Sequence, residues 1–224
     1  MKILTFDTAL NKTYISFGED ENIFFSKILN SDMEKYHSAF LVPELINIFK
    51  DQKIKASDIG TIGINIGPGS FTGIRICTVI ARTLAQQTNS KVIPVSALEI
   101  LSLINKSEKS SLILTDARKN KFYTAIYSSD GKTIKEPSLI DKDEVFEYLD
   151  KEEYTIITDG FCHDFLSEKG IDSINYENGE YDLGQNLYKI CLKKMNGSGD
   201  FHWAKAKPLY IQPPSITKSN KKAV

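Results

Sequence analysis

A glycine-dense loop is the part of this sequence with the clearest capacity for chemistry. It runs from Gly67 to Arg75 and separates an apolar run from a long helical pattern. Glycine permits positive φ angles and close backbone approach, and the N–H groups that begin a helix attract anions. The loop lacks the Gly-Lys-Ser/Thr ending of a Walker A loop, and Pro68 stands where a nucleophile elbow around Ser70 needs glycine. A phosphate cradle and a tight structural turn are equally favoured.

Two aspartates end predicted strands in related positions. Asp7 closes the first strand, and Asp116 closes a strand in the second half of the chain, two residues before Arg118. A carboxylate at a strand end can hold a metal-bound water against a phosphate, but a lone Asp there is more often a turn former. Asp116 and Arg118 can also pair with each other. Neither aspartate alone predicts catalysis.

The histidines and cysteines do not have the spacing of a metal site. His37, His163 and His202 include no His-x-x-x-His or His-Glu-x-x-His pair. The three cysteines are an odd number without Cys-x-x-Cys spacing, which is typical of buried reduced thiols. We therefore predict neither a structural nor a catalytic metal.

The elements that must position these residues alternate between strands and helices. In the first half, hydrophobic periodicity predicts strands over 3–6, 13–17, 23–28, 61–66 and 91–95, and helices over 38–49 and 72–87. Ser96 and Glu99 have the spacing of a capping box that begins another helix. In the second half, the predicted elements are strands over 112–116, 122–127 and 154–158, and helices over 141–149, 161–167 and 183–195. The pattern predicts an α/β protein of two lobes, over 1–104 and 105–212, with a Lys-rich tail over 213–224.

Composition and charge narrow the class of protein. With 224 residues, 41% hydrophobic and 25% charged, the chain has globular averages, which exclude a mainly disordered or disulfide-stapled protein. No apolar run is long enough to span a bilayer and no signal-peptide pattern is present, so we expect a cytoplasmic protein without a membrane partner. Residues 141–182 carry a net charge of −11 and residues 183–224 a net charge of +7. The basic end predicts a solvated tail, with a nucleic-acid arm as the alternative.

Both long helices of the first lobe are apolar over a wide arc. In the helix over 72–87, one stripe contains Ile74, Cys77, Thr78, Ala81 and Leu84, and an adjoining stripe contains Ile76, Val79, Ile80 and Thr83. The helix over 38–49 has the same breadth, with Leu41, Leu45 and Ile48 beside Val42, Ile46 and Phe49. Such a helix is either sandwiched in a core or used as a docking face. For the two helices taken together, burial in the core and use as a docking face are equally favoured.

Taken in order, several motifs resemble the TsaB (YeaZ) family, whose members help to make threonylcarbamoyladenosine in tRNA. The most specific motif is the loop over 67–76. The weaker ones are Phe6-Asp7-Thr8, Tyr36-His37-Ser38, Leu41-Val42-Pro43, Pro94 to Leu98, Asp116-Ala117-Arg118 with Phe122-Tyr123, and Pro208-Leu209-Tyr210. The resemblance spans about residues 1–212. It implies a two-lobed actin-like ATPase fold of the Hsp70, sugar-kinase and ribonuclease H-like kind, with mixed sheets flanked by helices.

The resemblance also implies a role without catalysis. Members of the family dimerise with themselves or with a catalytic paralogue, TsaD, which carries a metal-binding His-x-x-x-His and transfers the threonylcarbamoyl group to adenosine beside the anticodon. An ATPase, TsaE, joins the pair, and tRNA is reached through the complex. The implied interface residues are Leu41, Leu45, Ile48, Phe49, Gly69, Phe71, Arg75, Ile76, Val79, Ile80 and Thr83.

Departures from the pattern of working actin-like ATPases concern nucleotide binding. Asp116-Ala117-Arg118 lacks the glycine of the second phosphate loop, and the adenosine-binding Gly-Gly corresponds at best to Asp159-Gly160-Phe161. A vestigial nucleotide site would consist of Asp7, Gly67, Gly69, Ser70, Thr72, Gly73 and Asp116. We expect no cofactor on this chain alone, and leave open ATP or ADP in the complex. The alternative is a small actin-like ATPase or kinase that uses Asp7 and the 67–73 loop.

Overall fold

The computed structural model describes residues 1–29, 40–149 and 153–212. The strands are β1 (Lys2–Asp7), β2 (Thr13–Glu19), β3 (Asn22–Leu29), β4 (Ile59–Asn65), β5 (Lys91–Val95), β6 (Ser111–Asp116), β7 (Lys121–Tyr127), β8 (Thr133–Asp141), β9 (Thr155–Thr158) and β10 (Ile174–Asn175). The helices are α1 (Leu41–Asp51), α2 (Phe71–Thr88), α3 (Ala97–Ser102), α4 (Val145–Leu149), α5 (Gly160–Ser167) and α6 (Leu183–Met195). Within these ranges, no helix is both long and apolar enough to cross a membrane.

Two mixed five-stranded sheets form the framework. The first has the order β3-β2-β1-β4-β5, in which β1, β2 and β3 are antiparallel while β1, β4 and β5 are parallel. The second repeats the arrangement with the order β10-β9-β6-β7-β8. Helices flank both sheets, so the predicted α/β fold class, with mixed sheets flanked by helices, is confirmed. In both sheets, a hairpin follows the first strand, and these two hairpin turns reach the space between the lobes.

Helices α3 and α6 do not follow the predicted division of the chain into lobes. α3 comes from the first half but packs on β6 and β7, whereas α6 comes from the second half and packs on β1, β2 and β5. Their apolar side chains form one cluster with residues of both sheets, such as Ile93 and Ile113. Contacts between elements therefore bind the lobes into a shared core, which a division at residue 104 does not anticipate.

Two strands were missed by the sequence patterns. β8 is the edge strand of the second sheet, most of its residues are at least partly exposed and Pro137 interrupts its pattern, so hydrophobic alternation is weak. β10 has only two residues. The helix predicted over 141–149 is shorter, because β8 extends to Asp141 and a 3-10 turn precedes α4.

Helix starts follow local chemistry. Ser70 caps α2 by accepting from the Gly73 N–H. Ser96 caps α3, as predicted, by accepting from the Leu98 N–H. Glu99 binds Lys194 Nζ at 2.6 Å, which joins α3 to α6. Pro43 lies in the first turn of α1, where a missing N–H is tolerated. The predicted start of that helix at residue 38 and the Tyr36-His37-Ser38 motif fall outside the described residues, as does the tail over 213–224.

Candidate functional site

A cleft of about 820 Å³ lies between the lobes. The β1–β2 turn and the glycine loop line it from the first lobe, and the β6–β7 turn lines it from the second. The C-terminal stretch over 209–212 forms a further wall. The cleft therefore brings together most of the loops that the sequence singles out.

The glycine loop is packed against the β1–β2 turn, and two of its N–H groups bind protein oxygens. The Gly67 N–H donates to Asn65 Oδ1 at 2.8 Å, and the Ser70 N–H donates to the Ala9 carbonyl at 2.8 Å. The Ala9 carbonyl occupies the space that a side chain at Gly69 would need. Glycine serves close backbone approach here, which favours the structural turn over the phosphate cradle.

Asp7 lies beneath the β1–β2 turn, with 1% of its surface exposed. Its Oδ1 accepts from the Ala9 N–H at 2.6 Å. Among the residues that the structure describes, neither Asp7 Oδ2 nor Asn65 Nδ2 has a hydrogen-bond partner. Burial raises the pKa of Asp7 to about 6. The buried Asp7 carboxylate thus stabilises the β1–β2 turn through its hydrogen bond with Ala9.

The second lobe contributes carboxylates to the cleft. The Asp116 N–H donates to Asp159 Oδ2 at 2.6 Å, and Asp159 Oδ1 caps α5 by accepting from the Cys162 N–H. Glu177 Oε2 accepts from the Gly160 N–H at 2.9 Å. Burial raises the pKa of Asp159. All three carboxylates line the cleft.

Arg118 lies in the β6–β7 turn, where Arg118, Lys119 and Asn120 all have left-handed φ angles of 54° to 62°. Its N–H donates to Asp116 Oδ1 at 2.7 Å, so the expected pairing of these two residues runs through the backbone. The turn brings one cation into a cleft lined by the carboxylates of Asp116, Asp159 and Glu177.

Two features of the cleft disfavour a nucleoside triphosphate held by this chain alone. The N–H groups of Gly67 and Ser70 are occupied by protein oxygens, so they are not available to phosphate. Carboxylates at the second-lobe wall repel phosphate oxygens. Within the described ranges, no three His, Cys, Asp or Glu side chains are grouped so that they could hold a metal ion.

The second apolar stripe of α2 faces solvent. Val79 is 62% exposed, Thr83 is exposed, and Ile76 and Ile80 are half-buried. The first stripe is buried against the first sheet, including Ile74, Cys77 and Ala81. No acidic residue occurs between Asp58 and Glu99 in the sequence, so this face has no negative charge of its own. It has the apolar, acid-free character of a docking surface.

On α1 the predicted interface residues Leu41, Leu45 and Ile48 are wrong, because all three are buried in the core beneath the helix. The accessible apolar side chains are those of the adjoining stripe, Val42 and Ile46, with Phe49 half-buried. Periodicity identifies both stripes of such a helix, but only packing on the sheet determines which one is covered.

Phe71, Arg75 and Tyr210 form a stack at the mouth of the cleft. The Arg75 guanidinium lies 3.7 Å from the Phe71 ring centroid, and Arg75 Nε donates to the Tyr210 hydroxyl at 3.0 Å. Phe71 and Tyr210 are 40% and 43% exposed. Tyr210, Asp159 and Glu177 were not predicted as site residues, because no local pattern shows that the ends of these segments meet in the cleft.

Residues 25–164 match the family model described as "TsaD: tRNA N6-adenosine threonylcarbamoyltransferase". The chain is 31% identical over 129 residues to the tRNA threonylcarbamoyladenosine biosynthesis protein TsaB of Bacillus subtilis. That alignment covers 57% of this chain and 55% of the relative, so the chain spans about half the length of that protein. The TsaB protein of Escherichia coli is 29% identical over 140 residues, which are 60% of this chain and 58% of the relative.

Among solved structures, YeaZ from Pseudomonas aeruginosa superposes with a TM-score of 0.76. The superposition covers 94% of this chain and 100% of that chain at 18% sequence identity. At this identity the likeness shows the shared fold alone, two mixed sheets flanked by helices.

Proposed function

This chain belongs to the TsaD family of tRNA N6-adenosine threonylcarbamoyltransferases, as one of its TsaB members, and from that premise we propose that it is a non-catalytic scaffold subunit. It pairs with a TsaD-like catalytic subunit, and also with itself. The complex, joined by a TsaE-like ATPase, transfers a threonylcarbamoyl group to adenosine next to the anticodon of tRNA in the cytoplasm.

The exposed apolar face of α2 is the observation that carries this proposal. Val79 is the most exposed large hydrophobic side chain on the helix, and Ile76 and Ile80 flank it. On α1, which packs on the same core, the apolar side chains of Val42 and Ile46 are also exposed. Solvated apolar side chains on two helices that pack on one core, without any acid on α2, favour burial against a partner subunit.

The contacts of the glycine loop support a structural role for this loop at the N-terminus of α2. It fixes the N-terminus of the helix to the β1–β2 turn through the Ser70–Ala9 hydrogen bond. Asp7 is buried and acts on the same turn rather than lining the cleft. The proposed role of Gly69 is therefore to hold α2 in place, while Phe71 and Arg75 lie at the edge of the docking face.

The test is assembly with the TsaD-like paralogue from the same genome, measured by size-exclusion chromatography with light scattering. The wild-type chain is expected to form a 1:1 complex that displaces a self-dimer. Val79→Glu is expected to abolish the complex while circular dichroism stays native, because a buried unpaired carboxylate at an interface is strongly unfavourable. Ile134→Glu, at a residue 57% exposed on β8, is the matched control and should assemble normally. A wild-type chain indifferent to the paralogue would overturn the proposal.

The interlobe cleft favours a second candidate function, a small ATPase or kinase. A cleft of about 820 Å³ between two lobes is a common ligand site, and the 67–73 loop borders it. This function requires magnesium-dependent nucleotide binding by the isolated chain. A rise in melting temperature with millimolar ATP and magnesium would support it, and an unchanged melting temperature would exclude it at that concentration.

A further inference from the structure

Beside the apolar face of α2 runs a strip in which cations alternate with aromatic rings. We name it the basic strip and define it by Arg75, Arg82, Lys205 and Lys207 together with Phe71, Trp203 and Tyr210. Its members come from α2 and from the segment over 203–210. No local sequence pattern links these two parts of the chain.

The segment over 203–210 runs antiparallel along α2. At one end the Arg82 guanidinium lies 5.7 Å from the Trp203 ring centroid, and at the other Arg75 Nε donates to the Tyr210 hydroxyl. Arg75 and Arg82 are seven residues apart, so they lie on the same side of the helix, about 10 Å from each other.

Two anchors fix the segment in place. The Leu209 N–H donates to the Ile66 carbonyl at 2.8 Å, and Ala206 is buried in the core beneath α2. Lys205 and Lys207, on either side of Ala206, are exposed. The strip is therefore a fixed surface rather than a set of independent side chains.

The charges around the strip are predominantly positive. Asp200 pairs with Lys205, and both side chains are well exposed. The sequence contains no acid between Asp58 and Glu99, and none after Asp200. Beyond Tyr210 the carboxylates of the cleft begin, which confines an anionic ligand to the outer flank of α2.

We propose that the basic strip contacts RNA directly. Arg82, Lys205 and Lys207 bind backbone phosphates, while an unpaired base stacks on the exposed ring of Tyr210 beside Phe71. Cations that track a backbone, interleaved with exposed aromatic rings, are the combination that binds single-stranded RNA segments. The inference rests on the proposed function for its ligand, the tRNA on which the complex acts.

The first test measures binding of a tRNA transcript to the full-length chain, alone and with the TsaD-like paralogue, across a salt series. Lys205→Ala/Lys207→Ala is expected to weaken binding by about tenfold and to lower the slope of log affinity against log salt by about two. The matched control is Lys169→Ala/Lys189→Ala, which removes two exposed lysines outside the strip. It should bind as the wild type does.

Substitutions of Tyr210 distinguish the contribution of base stacking to tRNA binding from that of charge. Tyr210→Ala is expected to weaken tRNA binding about fivefold or more without changing the salt slope, whereas Tyr210→Phe keeps the ring and should bind nearly as the wild type does. Equal binding by the strip variants and the control would overturn the inference, as would absence of tRNA binding by the wild type. Loss of paralogue assembly in the lysine variant, measured by size-exclusion chromatography, would also overturn it and assign the strip to an acidic protein surface. If the wild-type chain forms no complex with the paralogue, the titrations on the chain alone still test whether the basic strip binds tRNA.

Discussion

Thr8 and Gly73 interlock the first strand with the start of α2. The Thr8 hydroxyl donates to the Gly73 carbonyl at 3.0 Å, and the Thr8 carbonyl oxygen fills the space that a Cβ at residue 73 would need. The neighbouring Ser70 N–H donates to Ala9, so the two segments are joined on both sides of the loop. The position of the docking face thus depends on a contact that only glycine permits.

Gly73→Ala is expected to destabilise the protein by at least about 2 kcal/mol, because a methyl group would force backbone away from backbone. Urea unfolding measures the change. Gly170→Ala is the control: its φ is +72° and its Cβ would meet nothing within 4 Å, so it should lose only about 1 kcal/mol. Equal losses in the two variants would contradict the interlock.

Asp7 predicts a pH dependence of stability. Burial raises its pKa from 3.8 to about 6, so the folded state favours the protonated form. The contribution of Asp7 to the free energy of unfolding is fully present below about pH 4. It is lost as the pH rises through 6, and the free energy of unfolding falls by about 3 kcal/mol in total. Asp7→Asn cannot titrate, so its stability relative to wild type should rise over that interval, as measured by urea unfolding from pH 4 to 7. The control is Asp51→Asn, at an exposed site, which should retain the wild-type dependence of stability on pH. An Asp7→Asn profile parallel to that of the wild type would refute the assignment of this pH dependence to Asp7.

Adjacent residues of α1 are expected to respond oppositely to the same substitution. Leu45→Glu places a carboxylate in the core and should destabilise the fold by several kcal/mol. Ile46 is 48% exposed, so Ile46→Glu should leave the melting temperature nearly unchanged and weaken only assembly. Thermal unfolding and size-exclusion chromatography distinguish the two effects. A folded Leu45→Glu protein that fails only to assemble would restore Leu45 to the interface.

The three thiols are expected to resist alkylation in the native protein. Cys77, Cys162 and Cys191 are buried, and burial raises the pKa of Cys77 to about 12 and those of the other two further. Iodoacetamide at pH 8 should label none of them within the time that labels all three in urea, because the thiolate is the reactive form. Mass spectrometry counts the labels, and rapid native labelling of Cys77 would show that α2 opens from the sheet.

Local patterns predicted most of the elements because their causes are local. Periodicity located α2 and α6, and Ser96 was identified as a cap from its place before an apolar run. β8 was not predicted, because an edge strand with a proline shows little alternation of apolar and polar residues. For the glycine loop, residue types left a phosphate cradle and a structural turn equally favoured, since both need backbone freedom.

The sequence by itself determined the order of strands and helices, the two-sided apolar character of α1 and α2, and the glycines of the 67–75 loop. Only the tertiary structure decided which stripe of each helix is covered: Leu45 lies inward and Ile46 outward, although both are apolar. It also decided that the N–H groups of Gly67 and Ser70 bind protein oxygens and that Tyr210 contacts Arg75. The physical reason is that periodicity records which faces avoid water, whereas the partner of each face is set by packing between segments far apart in the chain.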